Sequence, residues 1–253
     1  MPATTPEGVL VYLHGGGWVV GALDDFDALA RHLARRSGCA VLLLDYRLAP
    51  EHPFPAGLED VEDSLRFVAA GGLHRLNPEI GLDLPLVVAG DSAGANLATV
   101  ASAALCREID IALQLLVYPA TDAAMAGASY QQYGDYPFLT RQDMRWFYGH
   151  YAPAAQWADP RISPINAPDL SGQPPAWIAL AEHDVLHDEG QAYAQRLSAA
   201  GVPVTLRLYE GVTHGCIRMM NILDTADRML DEAAAAARQA CSPPTTTTPQ
   251  ELP

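Results

Sequence analysis

Gly90-Asp91-Ser92-Ala93-Gly94 is the stretch that most constrains how this chain can fold. A G-x-S-x-G sequence bends a strand into a helix so tightly that the central serine stands out on the turn. The apolar run Leu84–Ala89 precedes it and fits a strand buried on both faces. Ala95–Leu105 follows and is rich in small apolar residues, as in a helix packed on a sheet. This order predicts a nucleophile elbow with Ser92 at its tip.

Strand-like and helix-like segments alternate along the rest of the chain, which is typical of a mostly parallel sheet with helices on both faces. The predicted strands are Gly8–Leu13, Cys39–Leu44, Leu84–Ala89, Ala112–Val117, Ala176–Ala181 and Val204–Tyr209. The predicted helices are Phe26–Arg36, Ala56–Ala69, Ala95–Leu105, Glu189–Ala200 and Ile222–Ala240. The expected fold class is therefore α/β.

The length and composition indicate the number of domains and exclude several classes of partner and chemistry. A chain of 253 residues suits one domain, expected over residues 1–241, and the Pro/Thr-rich tail 242–253 is expected to be disordered. The net charge is −15 and every basic residue is arginine, so nucleic acid and anionic membranes are not expected partners. Without lysine, the chain has no Schiff-base, P-loop or S-x-x-K chemistry.

The cysteines do not indicate a metal site or disulfides, and the N-terminal residues do not resemble a signal peptide. Four scattered cysteines lack C-x-x-C spacing, so neither a metal site nor a disulfide framework is predicted. The segment 1–6 has no basic region followed by an apolar one, and no apolar run approaches the length of a membrane span. The cytoplasm is the expected compartment.

A serine nucleophile needs a base to take its proton and an acid to orient that base. In folds with a nucleophile elbow, the acid and then the histidine follow the serine along the chain, each on a loop after a strand. Loop 182–189 follows one predicted strand and holds the acid candidates. Loop 210–215 follows the next strand and holds a histidine. Order and placement together predict a Ser-Asp-His triad.

His214 is the expected base, because it is the histidine of the second loop. Asp184 is the expected acid, because it comes directly after the predicted strand, and Asp188 is the alternative. Asp188 or Glu189 is otherwise expected to begin the next helix, where a carboxylate complements the helix dipole. The remaining histidines are expected to pack, to lie at the surface or to sit in the acid's own loop: His14, His32, His52, His74, His150, His183 and His187.

A second motif, His14-Gly15-Gly16-Gly17-Trp18, follows the first predicted strand. Glycine amides at this place can point at an anion and, with the amide of the residue after the nucleophile, form an oxyanion hole. Here that residue is Ala93. The alternative is a flexible glycine turn. A dinucleotide site is excluded because the G-x-G-x-x-G spacing is absent.

Aromatic residues are concentrated between Tyr130 and Trp157. Their density outside the predicted sheet favours a helical insertion that covers a pocket. The alternative is an ordinary helix pair with an aromatic core.

These motifs together resemble the hormone-sensitive lipase family of bacterial carboxylesterases, and the GDSAG form of the elbow resembles its more common subgroup. The resemblance extends from about Gly8 to the final helix. The segments that carry it are His14–Trp18, Tyr46–Ala56, Gly90–Gly94, Asp159-Pro160, Ser163-Pro164, Asp184 and His214-Gly215.

The resemblance implies an α/β-hydrolase fold with a helical cap inserted at about residues 125–165, of which 138–151 would lie over the pocket. It implies a serine carboxylesterase for short-to-medium-chain acyl esters, with no metal or cofactor. The implied triad is Ser92, Asp184 and His214. The implied oxyanion hole is formed by the amides of Gly16, Gly17 and Ala93, although which two of the three glycines donate stays open. The implied substrate-binding residues are Trp18, Asp91, Phe138 and Leu139.

The chain departs from the family in two places. Family members usually carry several tens of residues before the glycine motif, whereas thirteen precede His14 here. Either the start is misplaced, the chain is truncated, or half of the lid is missing. Cys39–Leu44 would then form an open sheet edge. Cys216 replaces an aromatic or apolar residue and is expected to widen the pocket rim.

Several expectations concern neighbouring groups and rival functions. The resemblance further implies that Tyr46–Ala56 is a structural brace, with Arg47 and Glu51 as candidates for ion pairs rather than for catalysis. The expected partners are a small-molecule ester and, at most, a second copy of the chain in a homodimer. An amidase or a lactonase would use the same triad. A member that binds ligand without turnover is the alternative outside catalysis.

Overall fold

The computed structural model describes residues 1–242. Its six strands form one parallel sheet in the order β2-β1-β3-β4-β5-β6. The strands are β1 (Val9–Leu13), β2 (Ala40–Leu44), β3 (Leu86–Asp91), β4 (Ile111–Val117), β5 (Ala176–His183) and β6 (Val204–Thr213). Of the tail predicted to be disordered, residues 243–253 lie outside the described part of the chain.

Eight α-helices connect or follow the strands within residues 1–242. They are α1 (Leu23–Ser37), α2 (Ala56–Ala69), α3 (Gly72–Leu76), α4 (Ala93–Leu105), α5 (Ser129–Gln132), α6 (Arg141–Tyr151), α7 (His187–Ala199) and α8 (Asp224–Cys241). Short 3₁₀ helices lie at Ala154–Gln156, Pro164–Asn166 and Cys216–Met219. The α/β class is confirmed.

Alternate side chains of each strand enter two separate cores. From β1, Val11 and Leu13 join the core under α2, α4 and α7, whereas Leu10 and Tyr12 join the core under α1 and α8. This two-sided burial explains why the central strands read as continuous apolar runs.

The strand order creates a switch point beside β1. The chain runs from β1 outward to β2 and then returns to the other side of β1 to form β3. Leu13 of β1 is paired with Gly90 of β3, so the loops that follow these two strands begin side by side. Ligands of open α/β sheets bind in the crevice at such a point, beyond the carboxyl ends of the strands.

The predicted strands are confirmed, but three of them extend further than their apolar pattern. β3 ends at Asp91, β5 at His183 and β6 at Thr213. The last two extensions pair with each other beyond a bulge, with His183 opposite Thr213. Backbone hydrogen bonding thus continues beyond the continuous apolar runs. The strands β2 and β6 form the two edges of the sheet, as expected for the segment 39–44.

Of the two candidates for ion pairs, Arg47 forms them and Glu51 does not within residues 1–242. The Arg47 guanidinium lies 2.9 Å from an Asp60 carboxylate oxygen, and its backbone N–H donates to Asp60 at 2.8 Å. Glu59 is a second carboxylate within 3.6 Å. Glu51 takes part in no ion pair among residues 1–242. The brace therefore joins Arg47 to α2, whose first turns place Glu59 and Asp60 against it.

α7 begins at His187, two residues before the predicted start, and Glu189 lies in its first turn with its carboxyl group buried. One carboxyl oxygen accepts hydrogen bonds from the backbone N–H groups of Thr121, at 2.6 Å, and Asp122, at 3.2 Å. Burial raises the pKa of Glu189 to about 8, against the effect of these two hydrogen bonds. The side chain thereby connects α7 to the segment that follows β4.

The raised pKa predicts a pH-dependent stability. Because the unfolded chain ionises Glu189 near its ordinary pKa of 4.5, this group's contribution is complete below about pH 4.5 and is lost as pH rises towards 8. Glu189→Gln stays neutral and keeps an acceptor oxygen for both N–H groups. The unfolding free energy of this variant minus that of the parent should therefore increase with pH, by up to ~1.4 kcal/mol per pH unit in that window. Urea titrations from pH 5 to pH 9 measure this difference.

The control for this comparison is the exposed Glu210, changed to Gln in the same way. Removing this solvent-exposed carboxylate should not reproduce the pH-dependent gain expected for Glu189→Gln. A Glu189→Gln difference that stays constant between pH 5 and pH 8 would contradict the assignment.

Candidate active site

The turn between β3 and α4 holds Ser92 in a backbone conformation that non-glycine residues rarely adopt, with φ 57° and ψ −119°. The flanking glycines make room for it. A Cβ atom on Gly94 would overlap the Leu13 carbonyl, and one on Gly90 would lie 2.5 Å from the Gly94 carbonyl carbon. Only glycine at both ends lets the strand and helix approach this closely. The elbow therefore presents the serine hydroxyl at the carboxyl end of the central strands.

Three side chains from separate loops meet in one line of hydrogen bonds. The Ser92 Oγ lies 2.9 Å from Nε2 of His214, and Nδ1 of His214 lies 2.7 Å from an Asp184 carboxylate oxygen. The other Asp184 oxygen accepts the Leu186 N–H at 2.9 Å. Asp184 follows β5 and His214 follows β6. Because these strands are parallel neighbours, both loops lie at the carboxyl end of the sheet. With Nδ1–H directed at the carboxylate, the unprotonated Nε2 faces the serine.

Asp188, the alternative acid, lies elsewhere. Its carboxylate accepts the Ser129 N–H at 2.8 Å and lies 3.0 Å from Nδ1 of His187, so it connects α7 to α5. His14 is fully buried, stacks on Tyr46 at 4.5 Å and contacts the Gly15 carbonyl. The structure therefore brings Asp184 and His214 to Ser92, and leaves these other groups to hold neighbouring loops.

The glycine loop after β1 is held by Asp91. One Asp91 oxygen accepts hydrogen bonds from the Gly15 N–H and the Tyr12 hydroxyl, each at 2.9 Å. Burial raises the pKa of Asp91 above its ordinary range, against the effect of these two donors. The N–H groups of Gly16, Gly17 and Ala93 donate to no acceptor within residues 1–242. Of the three glycines, Gly15 alone has its amide occupied.

A cavity of about 560 Å³ opens over Ser92 and His214. The four residues predicted to bind substrate all line it: Trp18, Asp91, Phe138 and Leu139. The side chain of Phe138 is largely exposed. Trp18 is almost fully buried and stacks on Tyr151 at 4.5 Å. Trp18 and Asp91 are thus part of the cavity floor, whereas Phe138 stands at its mouth.

The aromatic segment supplies both a wall and a core. Met144 and Phe147 of α6 face the cavity. Tyr148 and Tyr151 of the same helix are buried, each packed against Trp18. One side of α6 thus covers a pocket and another side packs into an aromatic core, so each of the two interpretations holds for part of the segment.

Sequence reasoning missed the opposite wall of the cavity. This wall is formed by Phe26, Leu29, Arg218, Met219 and Met220. The helical spacing of Phe26 and Leu29 indicated a core face, and nothing local to them signals a cavity. Arg218 lies four residues after His214 on the same loop, which was the available signal.

The expectation that Cys216 widens the rim was wrong. Its thiol is fully buried in the core under α1 and α8, and burial raises its pKa to about 12. Gly215, with φ 78°, turns the chain into the 3₁₀ helix Cys216–Met219. That turn directs the first residue inward, so the cavity wall is formed by the residues after it.

Two further features concern the described residues as a set. Within residues 1–242, no three His, Cys, Asp or Glu side chains are grouped so that they could hold a metal ion. No helix in the same range combines the length and apolarity needed to cross a membrane.

Known proteins share both the sequence and the fold. The model of the alpha/beta hydrolase fold family matches residues 10–218. The chain is 42% identical over 226 residues to ethyl acetate hydrolase from Pseudomonas putida, covering 87% of this chain and 70% of that protein. It is 41% identical over 227 residues to carboxylesterase NlhH from Mycobacterium tuberculosis, covering 86% and 69%.

Among solved structures, a hyperthermophilic esterase from the archaeon Pyrobaculum calidifontis has a TM-score of 0.88 at 37% identity, over 94% of this chain and 77% of that one. The strand order, the family match and the sequence identities all indicate the same family. The chain belongs to the alpha/beta hydrolase fold family, in the hormone-sensitive lipase group of carboxylic ester hydrolases.

Proposed function

We propose that this carboxylic ester hydrolase cleaves short-to-medium-chain acyl esters through a Ser92-His214-Asp184 triad and an acyl-enzyme intermediate. The observation that carries the proposal is the continuous line of hydrogen bonds from Asp184 through His214 to Ser92 beside a cavity. A serine hydroxyl becomes a nucleophile when an adjacent oriented base can take its proton.

In the first half-reaction, Ser92 Oγ attacks the ester carbonyl carbon while His214 Nε2 takes the hydroxyl proton. The Asp184 carboxylate stabilises the imidazolium through Nδ1–H. His214 then gives the proton to the departing alcohol oxygen as the ester bond breaks. In the second half-reaction, water gives a proton to His214 and attacks the acyl carbon, and the proton returns to Ser92 as the acid leaves.

The negative charge on the tetrahedral carbonyl oxygen is stabilised by backbone N–H groups. Asp91 occupies the Gly15 amide, which supports Gly16 and Gly17 as the glycine donors. The Ala93 amide at the start of α4 is the third donor, and the positive end of that helix adds to its effect. Asp91 is in this account a positioning residue, because it holds the glycine loop and does not touch the substrate carbonyl.

Ester hydrolysis is favoured over the amidase and lactonase alternatives by the names of the relatives, which are an ethyl acetate hydrolase and a carboxylesterase. A member without turnover is disfavoured because the three triad side chains lie within hydrogen-bond distance of one another. Membership of the GDSAG subgroup, the homodimer, the cytoplasmic location and the single domain over 1–241 stay predictions.

The acyl-length preference is the first prediction to test. The cavity is within the roughly 300–1,000 Å³ typical of small-molecule sites, and Phe138, Leu139, Met144 and Phe147 give it an apolar wall. On p-nitrophenyl esters, kcat/KM should peak between acetate and hexanoate. Palmitate should be lower by about tenfold or more, equivalent to ~1.4 kcal/mol of transition-state binding.

The same assay includes an anilide and a lactone with matched acyl chains, which separate the amidase and lactonase alternatives. Faster turnover of either would replace the ester as the substrate class. A maximum at palmitate would contradict the proposed length preference.

A further inference from the structure

The wall of the active-site cavity contains a permanent cation that the reaction itself does not use. The charged or titratable residues that line the cavity are Asp25, Asp91, His214 and Arg218. Asp91 is buried and bonded to the glycine loop, and His214 is the proposed base. Among the described residues that line the cavity, Arg218 is therefore the one with a lasting positive charge.

The Arg218 guanidinium is held in place but keeps most of its donors. Its Cζ lies 4.5 Å from the centre of the Phe26 ring, and one terminal nitrogen donates to the Asp25 backbone carbonyl at 3.4 Å. The Asp25 carboxylate instead accepts the Ala22 N–H at 3.1 Å. Arg218 forms no ion pair with a carboxylate within residues 1–242. Cation–π attraction to the Phe26 ring favours this position of the exposed guanidinium, and its single hydrogen bond leaves several N–H groups available.

The position of Arg218 relates it to the reacting atoms. It lies four residues after His214, in the 3₁₀ helix Cys216–Met219. Both residues line the same cavity, and the left-handed turn at Gly215 lies between them in the chain. An anion bound by Arg218 would therefore be separated from the scissile carbonyl by a short spacer.

We propose that Arg218 selects esters that carry a second, anionic group, a carboxylate several atoms away from the scissile bond. This inference rests on the proposed esterase function and names a substrate class for the same site. The planar guanidinium matches a carboxylate with two parallel hydrogen bonds. Because the chain as a whole carries −15, its average field disfavours anions, and a local cation at the cavity is needed to hold one.

The test compares half-esters of dicarboxylic acids with neutral esters of equal length. Monomethyl glutarate and methyl valerate form the first pair, followed in a pH-stat by the succinate and adipate half-esters, which vary the spacer. A second pair, 4-acetoxybenzoate and 4-methylphenyl acetate, places the carboxylate on the alcohol side. The pair with the larger effect shows which side of the ester faces Arg218.

The measured quantity is the ratio of kcat/KM for the anionic ester to that for its neutral partner. In Arg218→Gln this ratio should fall by about 10- to 100-fold for the favoured pair, as expected from losing hydrogen bonds to a charged group. The fall should lie mainly in KM, because the contact is present in both ground and transition states. Arg218→Lys keeps the charge and should lose less than Arg218→Gln.

Arg228→Gln is the matched control, since Arg228 also stacks on an aromatic ring, Tyr209 at 5.7 Å, but does not line the cavity. Its ratio should equal that of the parent. An unchanged ratio in Arg218→Gln, or an equal fall in Arg228→Gln, overturns the role of Arg218. If the parent fails to hydrolyse both members of every pair, the esterase proposal itself fails, which is a separate and recognisable result.

Discussion

Ser92→Ala is expected to lower kcat for short-chain esters by about 10⁶-fold, as removal of the nucleophile from such a triad does. The methyl side chain cannot form the acyl-enzyme, so the route through two easier steps is closed. A residual rate of about 10³–10⁴ over water should remain, because the oxyanion donors and the cavity are intact. The fold should persist, since Ala93 and the flanking glycines still shape the elbow.

The measurement is p-nitrophenyl butyrate hydrolysis by the parent and the variant at matched concentration, with a thermal melt of both. Ser102→Ala provides the control. Ser102 is buried in α4, the helix that follows Ser92, and its hydroxyl has no hydrogen-bond partner in the described chain. It should retain parental kcat. A Ser92→Ala variant within tenfold of the parent would show that another group carries the reaction.

Asp184→Asn is expected to lower kcat by about 10⁴-fold. The carboxylate accepts two N–H groups, from His214 and from Leu186. An amide has one acceptor oxygen. If that oxygen stays on the Leu186 N–H, the NH₂ group faces Nδ1 of His214 and forces its proton onto Nε2. Nε2–H then faces Ser92 and cannot take the hydroxyl proton.

Asp188→Asn separates this explanation from a general effect of charge near the triad. Asp188 is four residues further along the chain, in the first turn of α7, and its carboxylate contacts Ser129 and His187 rather than His214. Its kcat should stay within a few-fold of the parent. If Asp188→Asn were the more damaging change, the alternative acid would be the functional one.

The order of strands and helices could be predicted because burial on two faces leaves continuous apolar runs in the sequence. The residues at which β5 and β6 end could not be predicted in this way. His183 and Thr213 are half-buried and lie where the apolar pattern has stopped, yet they continue the ladder. Pairing between backbones depends on the neighbouring strand, which a local pattern does not contain.

The candidate site was predictable to a similar extent. Ser92 is signalled by the glycines around it, and His214 and Asp184 by their places directly after strands. Chain order allowed both Asp184 and Asp188 as the acid. The choice depends on the turn after β5, which directs Asp184 at His214, whereas Asp188 already lies in α7 and contacts Ser129.

By itself, the sequence determined the elements, the elbow and the loops that carry the proposed triad, because each of these depends on residues close together in the chain. Tertiary structure alone decided which glycine amides remain available, because Asp91 occupies the Gly15 N–H across 76 positions. It also decided that Cys216 is buried, that burial raises the pKa of Glu189 and that Arg218 lines the cavity. These outcomes depend on which distant segments meet, and that is set by packing across the whole sheet.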